Sequence, residues 1–411
     1  MESKTSINDF RFNLEDLVHE TVNDFRVNGS VYTDKQIFRA EMRDVFGKCW
    51  IFIGHESQIN KKGDFFIYEL LNEEIIIVRG KDMKIRAFFN VCRHRGSRIC
   101  LEDKGNIKRL TCPYHAWSYN LEGNLQGAKS LPKDIEKQSL SLHKCGLEVI
   151  GGMLFVNLSD NPESLDNLKR DLEEPFALFG FENLKIAAHK NYPIKANWKL
   201  AVENYQECYH CAPSHPEYSL SHTLKIEGEP GFNKAQERMM SNLEACGLKD
   251  IEINKDFNRK DPDQEQYAYS RYALFEGYLT GSKNGKPVAP LIGKISEYNQ
   301  GCSDFNLGPV SFFLAYCDYI VGYVFTPTSQ ENCQCDVYWM VNKEAEEGKD
   351  YDKEKLTWLW DVTTYADEEI IINNQKGVNS IKYQPGPYTD KERSTRRFIK
   401  WYLDELQNAI S

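Results

Sequence analysis

The chain has 411 residues and a formal net charge of -10. That length accommodates two packed domains of roughly 100–200 residues each, and the acidic balance argues against a protein that grips nucleic acid by neutralising phosphates. Hydrophobic residues make up 41% and charged residues 27%, ordinary values for a globular protein, and no apolar run approaches the ~18–20 residues that span a bilayer.

The N-terminus lacks the charged and apolar regions of a secretory signal, so we expect a cytoplasmic protein that handles a small molecule or an electron-transfer partner, with neither nucleic acid nor membrane as partner. In that reducing compartment the twelve cysteines are thiols, metal ligands or small buried residues.

From about residue 48 the sequence is strand-like. Cys49-Trp50-Ile51-Phe52-Ile53, Phe65-Phe66-Ile67-Tyr68, Glu74 to Val78 and Ile85 to Phe89 are rich in β-branched and aromatic residues and separated by Gly, Asn and Lys turns, which predicts a small all-β module. It closes with Gly151 to Leu158, and Asp160-Asn161-Pro162 follows as a boundary.

Within this module stands Cys92-Arg93-His94-Arg95-Gly96 and, after a 17-residue spacer beyond His94, Cys112-Pro113-Tyr114-His115. Two loops, each offering one Cys and one His, are what a [2Fe–2S] centre needs when thiolates hold one iron and neutral imidazoles the other. Two Cys and two His also make a zinc site, but zinc fingers pair like with like as C-x2-4-C and H-x3-5-H, whereas here Cys and His alternate.

The second half opens with helical spacing at Leu165, Leu168, Leu172 and Phe176, then at Trp198, Ala201, Val202 and Tyr205. The latter stretch runs into His210 and His215. Five residues apart on an unbroken helix, these would lie ~140° apart, so Pro213 is expected to end the helix just after His210 and let His215 swing back. Two imidazoles with one carboxylate make the facial triad of non-haem Fe(II) oxygenases. Glu207, three residues before His210, shares its helical face and suits an acceptor for a metal-bound imidazole; the bland alternative is a salt-bridged surface Glu. Asn204 is a further neighbour or merely structural. Cys208 and Cys211, a C-x-x-C pair around His210, read as packing residues, and His19, His55, His143, His189 and His222 as structural or exposed.

Residues 225–270 are polar and irregular, and loops and short helices are expected there. Strands resume at Ser311–Tyr316, Tyr319–Phe325 and Cys335–Val341 as an antiparallel sheet. Helices over 353–376 and 390–409 pack on it, the last opened by the capping box Thr389-x-x-Glu392.

Cys-x-His-Arg-Gly with Cys-Pro-Tyr-His-x-Trp117 resembles the Rieske module of the ring-hydroxylating and N-demethylating oxygenases, and the likeness runs from Val31-Tyr32 to the final helix. It implies an α+β chain: an N-terminal segment, 1–44, packed on the catalytic domain; a Rieske domain, 45–158; and a helix-grip catalytic domain, 159–411, with an antiparallel sheet covered by helices. It implies Cys92, His94, Cys112 and His115 as cluster ligands. In the family the iron's carboxylate begins a late helix as Asp, with Gln and Gly following; Asp367 with Gln375 and Gly377 fits, while Asp361, Glu368 and Glu369 compete as solvated acids. The family's bridge to a Rieske histidine of a neighbouring subunit falls on Glu207, where Asp is common. A homotrimer and a separate flavin or iron–sulfur reductase are implied, with NAD(P)H acting only through that reductase and O2 as co-substrate. No G-x-G-x-x-G fingerprint follows a strand in this chain.

Gly47-x-x-Trp50, Glu207-Cys208-Tyr209-His210-Cys211, Asn374-Gln375-Lys376-Gly377 and Pro385-Gly386-Pro387-Tyr388 are most similar to the glycine betaine and choline monooxygenase branch, which oxidises an N-methyl group to a hemiaminal that loses formaldehyde. A quaternary ammonium would call for aromatic rings around it. Hydroxylation of an aromatic ring is the second reading, and a pure Rieske electron carrier the third.

Overall fold

The structure, a computed structural model, describes Leu17 and residues 26–223, 231–245 and 267–410. The chain divides into two compact units: Trp50–Ser164, and Leu165–Ser411 together with the segment up to Cys49. His19 and Cys246 lie outside the described residues.

The smaller unit is all-β. Ile51–His55, Met153–Asn157 and Gly146–Ile150 form one antiparallel sheet, and Ile85–Phe89, Glu73–Arg79, Asp64–Leu70 and Lys104–Asn106, in that order, form another. Ile75, Ile76, Ile77 and Val78 are all fully buried, so this strand is covered on both faces and reads as a continuous apolar run. A third small sheet, Leu110–Thr111, Ser118–Tyr119 and Leu125–Gly127, is held in a core containing Cys92, Cys112, Trp117, Tyr119 and Phe88.

The larger unit is built on a six-stranded antiparallel sheet of β1 (Leu184–Ile194), β2 (Tyr267–Ala273), β3 (Gly301–Leu307), β4 (Ser311–Ala315), β5 (Ile320–Ser329) and β6 (Asn332–Asn342), in the order β1-β6-β5-β4-β3-β2. Sequence patterning points to β4, β5 and β6 only. β1 is an edge strand that interleaves Lys, His and Asn and includes Pro193, and β2 and β3 bury Arg271 and Ser303, so none shows clean apolar alternation.

Six helices matter for the site: α1 (Trp198–Gln206), α2 (Cys211–Ser214), α3 (Pro216–Ser219), α4 (Phe232–Ala245), α5 (Lys353–Val378) and α6 (Arg393–Ile410). α4 is a fourteen-residue helix where loops and short helices were expected. It forms because Ala235, Met239 and Leu243 make an apolar stripe at helical spacing that packs beside β2. Thr389 donates its backbone N–H to Glu392 at 2.6 Å, closing the turn ahead of α6.

The two faces of the sheet differ. Phe305 of β3 packs with Phe176 and Phe181 on one side, while Phe312 of β4 stacks on Tyr205 of α1 at 4.4 Å on the other. α1 is anchored at its start: Asn197 caps it by accepting the Lys199 N–H at 3.0 Å, and its own N–H donates to Gln375 of α5 at 2.8 Å. Such caps contribute ~1 kcal/mol. Below them Lys199 Nζ meets Glu41 Oε1 at 2.5 Å, both side chains fully buried, with Trp198 Nε1 donating to the same carboxylate at 3.0 Å.

Candidate metal centres

In the smaller unit the two motif loops have matching geometry. Gly96 N–H donates to Cys92 O at 2.9 Å and Ala116 N–H to Cys112 O at 3.0 Å, and both corner residues are left-handed, with φ of 74° and 58°. Glycine meets that demand at no steric cost; Ala116 is strained there. The turns bring His94 and His115 edge to face, centroids 4.7 Å apart, and lay His94 flat on Trp117 at 4.7 Å.

Cys92 and Cys112 are buried while both imidazoles are exposed. Burial pushes the Cys112 thiol up, but hydrogen bonds from the Tyr114 backbone, Cys92, the His115 backbone and Ser97 together outweigh it and hold the thiol below its ordinary value. Tyr119 Oη adds a contact to Cys92 Sγ at 3.4 Å. Two sulfurs set deep in amide donors and two imidazoles at the rim fit a [2Fe–2S] group with mixed ligation.

In the larger unit His210, His215 and Asp367 converge, with their ligand atoms all within 4.8 Å of one another. Nε2 of His215 lies 2.8 Å and Nε2 of His210 3.2 Å from the same oxygen, Asp367 Oδ1. Adjacent donors on one octahedral ion with bonds of ~2.1 Å stand about 3 Å apart, so the set fits a first-row divalent metal and leaves ligand positions free. Burial alone would lower the basicity of His210, but hydrogen bonds to Asp367 and Glu207 push it up to about 9. Burial likewise opposes ionisation of Asp367, yet its contacts with the two imidazoles hold its carboxyl below the ordinary value. Both shifts have one cause, the close approach of the imidazoles to the carboxylate, which favours positive charge between them.

The local backbone differs from the expected one. α1 ends at Gln206, four residues before His210, and Glu207 is extended, with φ −121° and ψ 147°. The Glu207 carboxylate turns the chain instead of riding a helix: it accepts the N–H groups of Tyr209 and His210, the latter at 3.2 Å, and faces His210 Nδ1 at 2.6 Å. Pro213 falls inside α2, in a first turn where its missing N–H costs nothing. The same turn brings Cys208 and Cys211 into a disulfide, Cα atoms 4.9 Å apart, where packing residues were expected.

Asn204 Nδ2 is 3.5 Å from His210 Nε2, at the limit of contact. Asp361 is engaged elsewhere, accepting from Lys190 Nζ at 2.6 Å and Tyr192 Oη at 2.5 Å. Among the described residues, neither Glu368 nor Glu369 joins the metal-ligand group.

A cleft opens on the triad, walled by Tyr205, Tyr218, Leu314, Trp360 and Thr363. Tyr218 stacks on His222 at 4.0 Å, and His222 Nε2 meets Tyr316 Oη at 2.7 Å. None of these wall residues was read from sequence as lining a site; Tyr205 and Leu314 entered only as members of a helix and a strand. They come from four separate elements, and an aromatic in a wall has the same sequence signal as one in a core.

The fold and site thus offer two dissimilar ligand sets, one of two thiols and two imidazoles and one of two imidazoles and a carboxylate, and the comparisons with known proteins say what class of protein carries them. Residues 49–142 match the Rieske [2Fe-2S] domain and residues 181–408 the ring hydroxylating alpha subunit (catalytic domain). The glycine betaine monooxygenase oxygenase subunit of Chromohalobacter salexigens is 32% identical over 403 residues, 96% of this chain and 89% of that one. The carnitine monooxygenase oxygenase subunit of Acinetobacter baumannii is 28% identical, covering 88% of each. A solved structure of the quaternary ammonium Rieske monooxygenase CntA with L-carnitine has a TM-score of 0.69 at 23% identity over 97% of this chain and 99% of that one. Naphthalene 1,2-dioxygenase from Rhodococcus sp. has a TM-score of 0.66 at 18% identity, covering 97% and 98%. The chain belongs to the ring-hydroxylating alpha-subunit family: it is the oxygenase component of a Rieske non-haem iron oxygenase, with a [2Fe–2S] cluster and a mononuclear iron as its cofactors.

Proposed function

We propose that this oxygenase N-demethylates a small trimethylammonium compound of the betaine type. The observation that carries the reading is the cleft at the triad, whose wall combines Tyr205, Tyr218 and Trp360, aromatic side chains of the kind that attract a quaternary ammonium. The names of the relatives point the same way. The balanced reaction takes the N-methyl compound, O2, two electrons and two protons to the N-hydroxymethyl compound and water. The carbinol then loses formaldehyde and a proton, leaving the demethylated amine.

We assign Cys92, His94, Cys112 and His115 to the cluster and His210, His215 and Asp367 to the mononuclear iron, which supplies the site where O2 is reduced. Glu207 fixes the His210 ring through Nδ1, and Asn204 borders the same imidazole. The exposed edges of His94 and His115 suit electron entry from a flavin or iron–sulfur reductase and exit to Glu207 of a neighbouring subunit in a homotrimer. The described residues contain no helix long and apolar enough to cross a membrane, and nine of the described cysteines are buried outside the disulfide, which suits work in the cytoplasm.

The test is turnover with a surrogate reductase and either betaines or aromatic acids. Formaldehyde released with betaines only supports demethylation; diol or phenol formation from the acids, with no formaldehyde from any methylamine, establishes ring hydroxylation instead.

A further inference from the structure

The C-x-x-C pair around His210 has no part in the reaction proposed above. Cys208 and Cys211 form a disulfide at a sequence separation of 3, so the bridge encloses Tyr209 and His210 in one small ring. Both cysteines line the cleft that holds His210, His215 and Asp367. Cys211 is buried, whereas Cys208 keeps partial exposure. The nine other described cysteines are buried and unbridged, which sets this pair apart.

The bridge is tied to the backbone of both imidazoles. His215 N–H donates to Cys211 O at 2.8 Å, and the same carbonyl accepts from Ser219 Oγ at 3.1 Å. On the other side the turn is thinly held, because Cys211 N–H reaches Cys208 O only at 3.3 Å, longer than an ordinary amide hydrogen bond. The Glu207 carboxylate and the disulfide therefore carry the turn between α1 and α2. A bridge over so short a loop restrains the unfolded chain less than a long-range one would, and in the reducing compartment proposed above a disulfide is usually transient and redox-active.

Resting on the assignment of His210 and His215 to the iron, we propose that Cys208 and Cys211 are a reversible dithiol–disulfide couple whose oxidised form holds His210 in place, so that retention of the iron follows the thiol state. The oxidant is hydrogen peroxide, formed when O2 takes up two electrons and two protons without a methyl group being oxidised. Peroxide converts the Cys208 thiol to a sulfenic acid and releases water; the Cys211 thiol then attacks that sulfur, the S–S bond forms and a second water leaves. Reduction by a dithiol runs through exchange. One thiolate attacks Cys208, the more exposed of the two, Cys211 leaves and takes a proton, and the second thiol of the reductant then releases Cys208.

The test compares the iron-loaded oxygenase after diamide, which oxidises dithiols, and after a water-soluble phosphine, which reduces disulfides. Alkylation and mass spectrometry of the peptide spanning Cys208 and Cys211 read the thiol state. The expected result is an unlabelled pair after diamide, a doubly labelled pair after phosphine, and return of the bridge when the phosphine is removed and hydrogen peroxide added. In competition with ferrozine, at constant cluster absorbance, the reduced protein should hold its mononuclear iron at least about tenfold less tightly, the lower end of what a lost support costs a metal site. The double variant Cys208→Ser, Cys211→Ser should show the weaker hold with or without phosphine, which separates loss of the bridge from chelation by the reagent. A pair that takes up label after diamide and after peroxide alike overturns the couple, and equal iron retention in the two wild-type states overturns its hold on His210; neither result depends on the variant folding. Absence of ferrozine-accessible iron in both states removes the iron assignment itself, and the inference with it.

Discussion

Glu207 Oε1 lies 2.6 Å from Nδ1 of His210, and the other oxygen of the same carboxylate accepts the His210 backbone N–H at 3.2 Å. One side chain therefore fixes both the turn and the imidazole, directing Nε2 toward Asp367. Outer contacts of this kind set ring orientation and ligand basicity.

Replacing Glu207 by Gln keeps the shape and removes the charge. Product formation is expected to fall about 10- to 100-fold, the usual cost of losing such a contact, while the visible absorbance of the cluster stays unchanged because the residues proposed to hold it lie in the other unit. Stopped-flow reduction of the cluster followed by product analysis checks this; wild-type turnover in the variant would contradict the role of Glu207.

The buried pair below α1 governs stability. Glu41→Ala leaves the Lys199 ammonium, whose basicity burial already lowers, without the carboxylate 2.5 Å away, and orphans Trp198 Nε1. The expected loss is about 3–5 kcal/mol, read from denaturant unfolding of the larger unit. Glu41→Leu combined with Lys199→Met should recover most of it, since removing both charges removes the uncompensated one.

Glu203 gives a pH signature. It accepts from Tyr32 Oη and Tyr388 Oη, each at 2.8 Å, and burial pushes its carboxyl up to about 7. The folded value lies above the unfolded one of about 4.3, so the folded protein binds this proton more tightly. The associated stability is complete below pH ~4 and is lost as pH rises through 7. Glu203→Gln, neutral throughout, should therefore gain on the wild type by on the order of 2 kcal/mol between pH 5 and 8. Parallel stability curves for the two proteins would refute the assignment.

Much of this molecule can be read from its residues because metal ligation concentrates its signal. Cys92, His94, Cys112 and His115 sit in two short loops, and His210 and His215 in one, so spacing alone exposes them. Asp367 is different. It lies more than a hundred residues onward in a helix with other acids, and only resemblance singled it out; the structure sets it 2.8 Å from His215 Nε2 while Asp361 is taken up by Lys190 and Tyr192.

The turn at Glu207 escaped prediction because it depends on a carboxylate capturing backbone donors, which competes locally with helix. β1, β2 and β3 escaped because polar residues interrupt their alternation, as Ser303 and Asp304 do in β3. The cleft wall escaped because Tyr205, Tyr218, Leu314 and Trp360 meet only in three dimensions.

The central claim, two unlike iron centres in one polypeptide, is tested most directly by iron and acid-labile sulfide analysis of the anaerobically purified wild type beside His215→Ala. The account predicts about three irons and two sulfides per chain for the wild type, and about two irons with both sulfides retained for the variant. Sulfide-free wild type, or a variant that keeps its full iron complement, would contradict it.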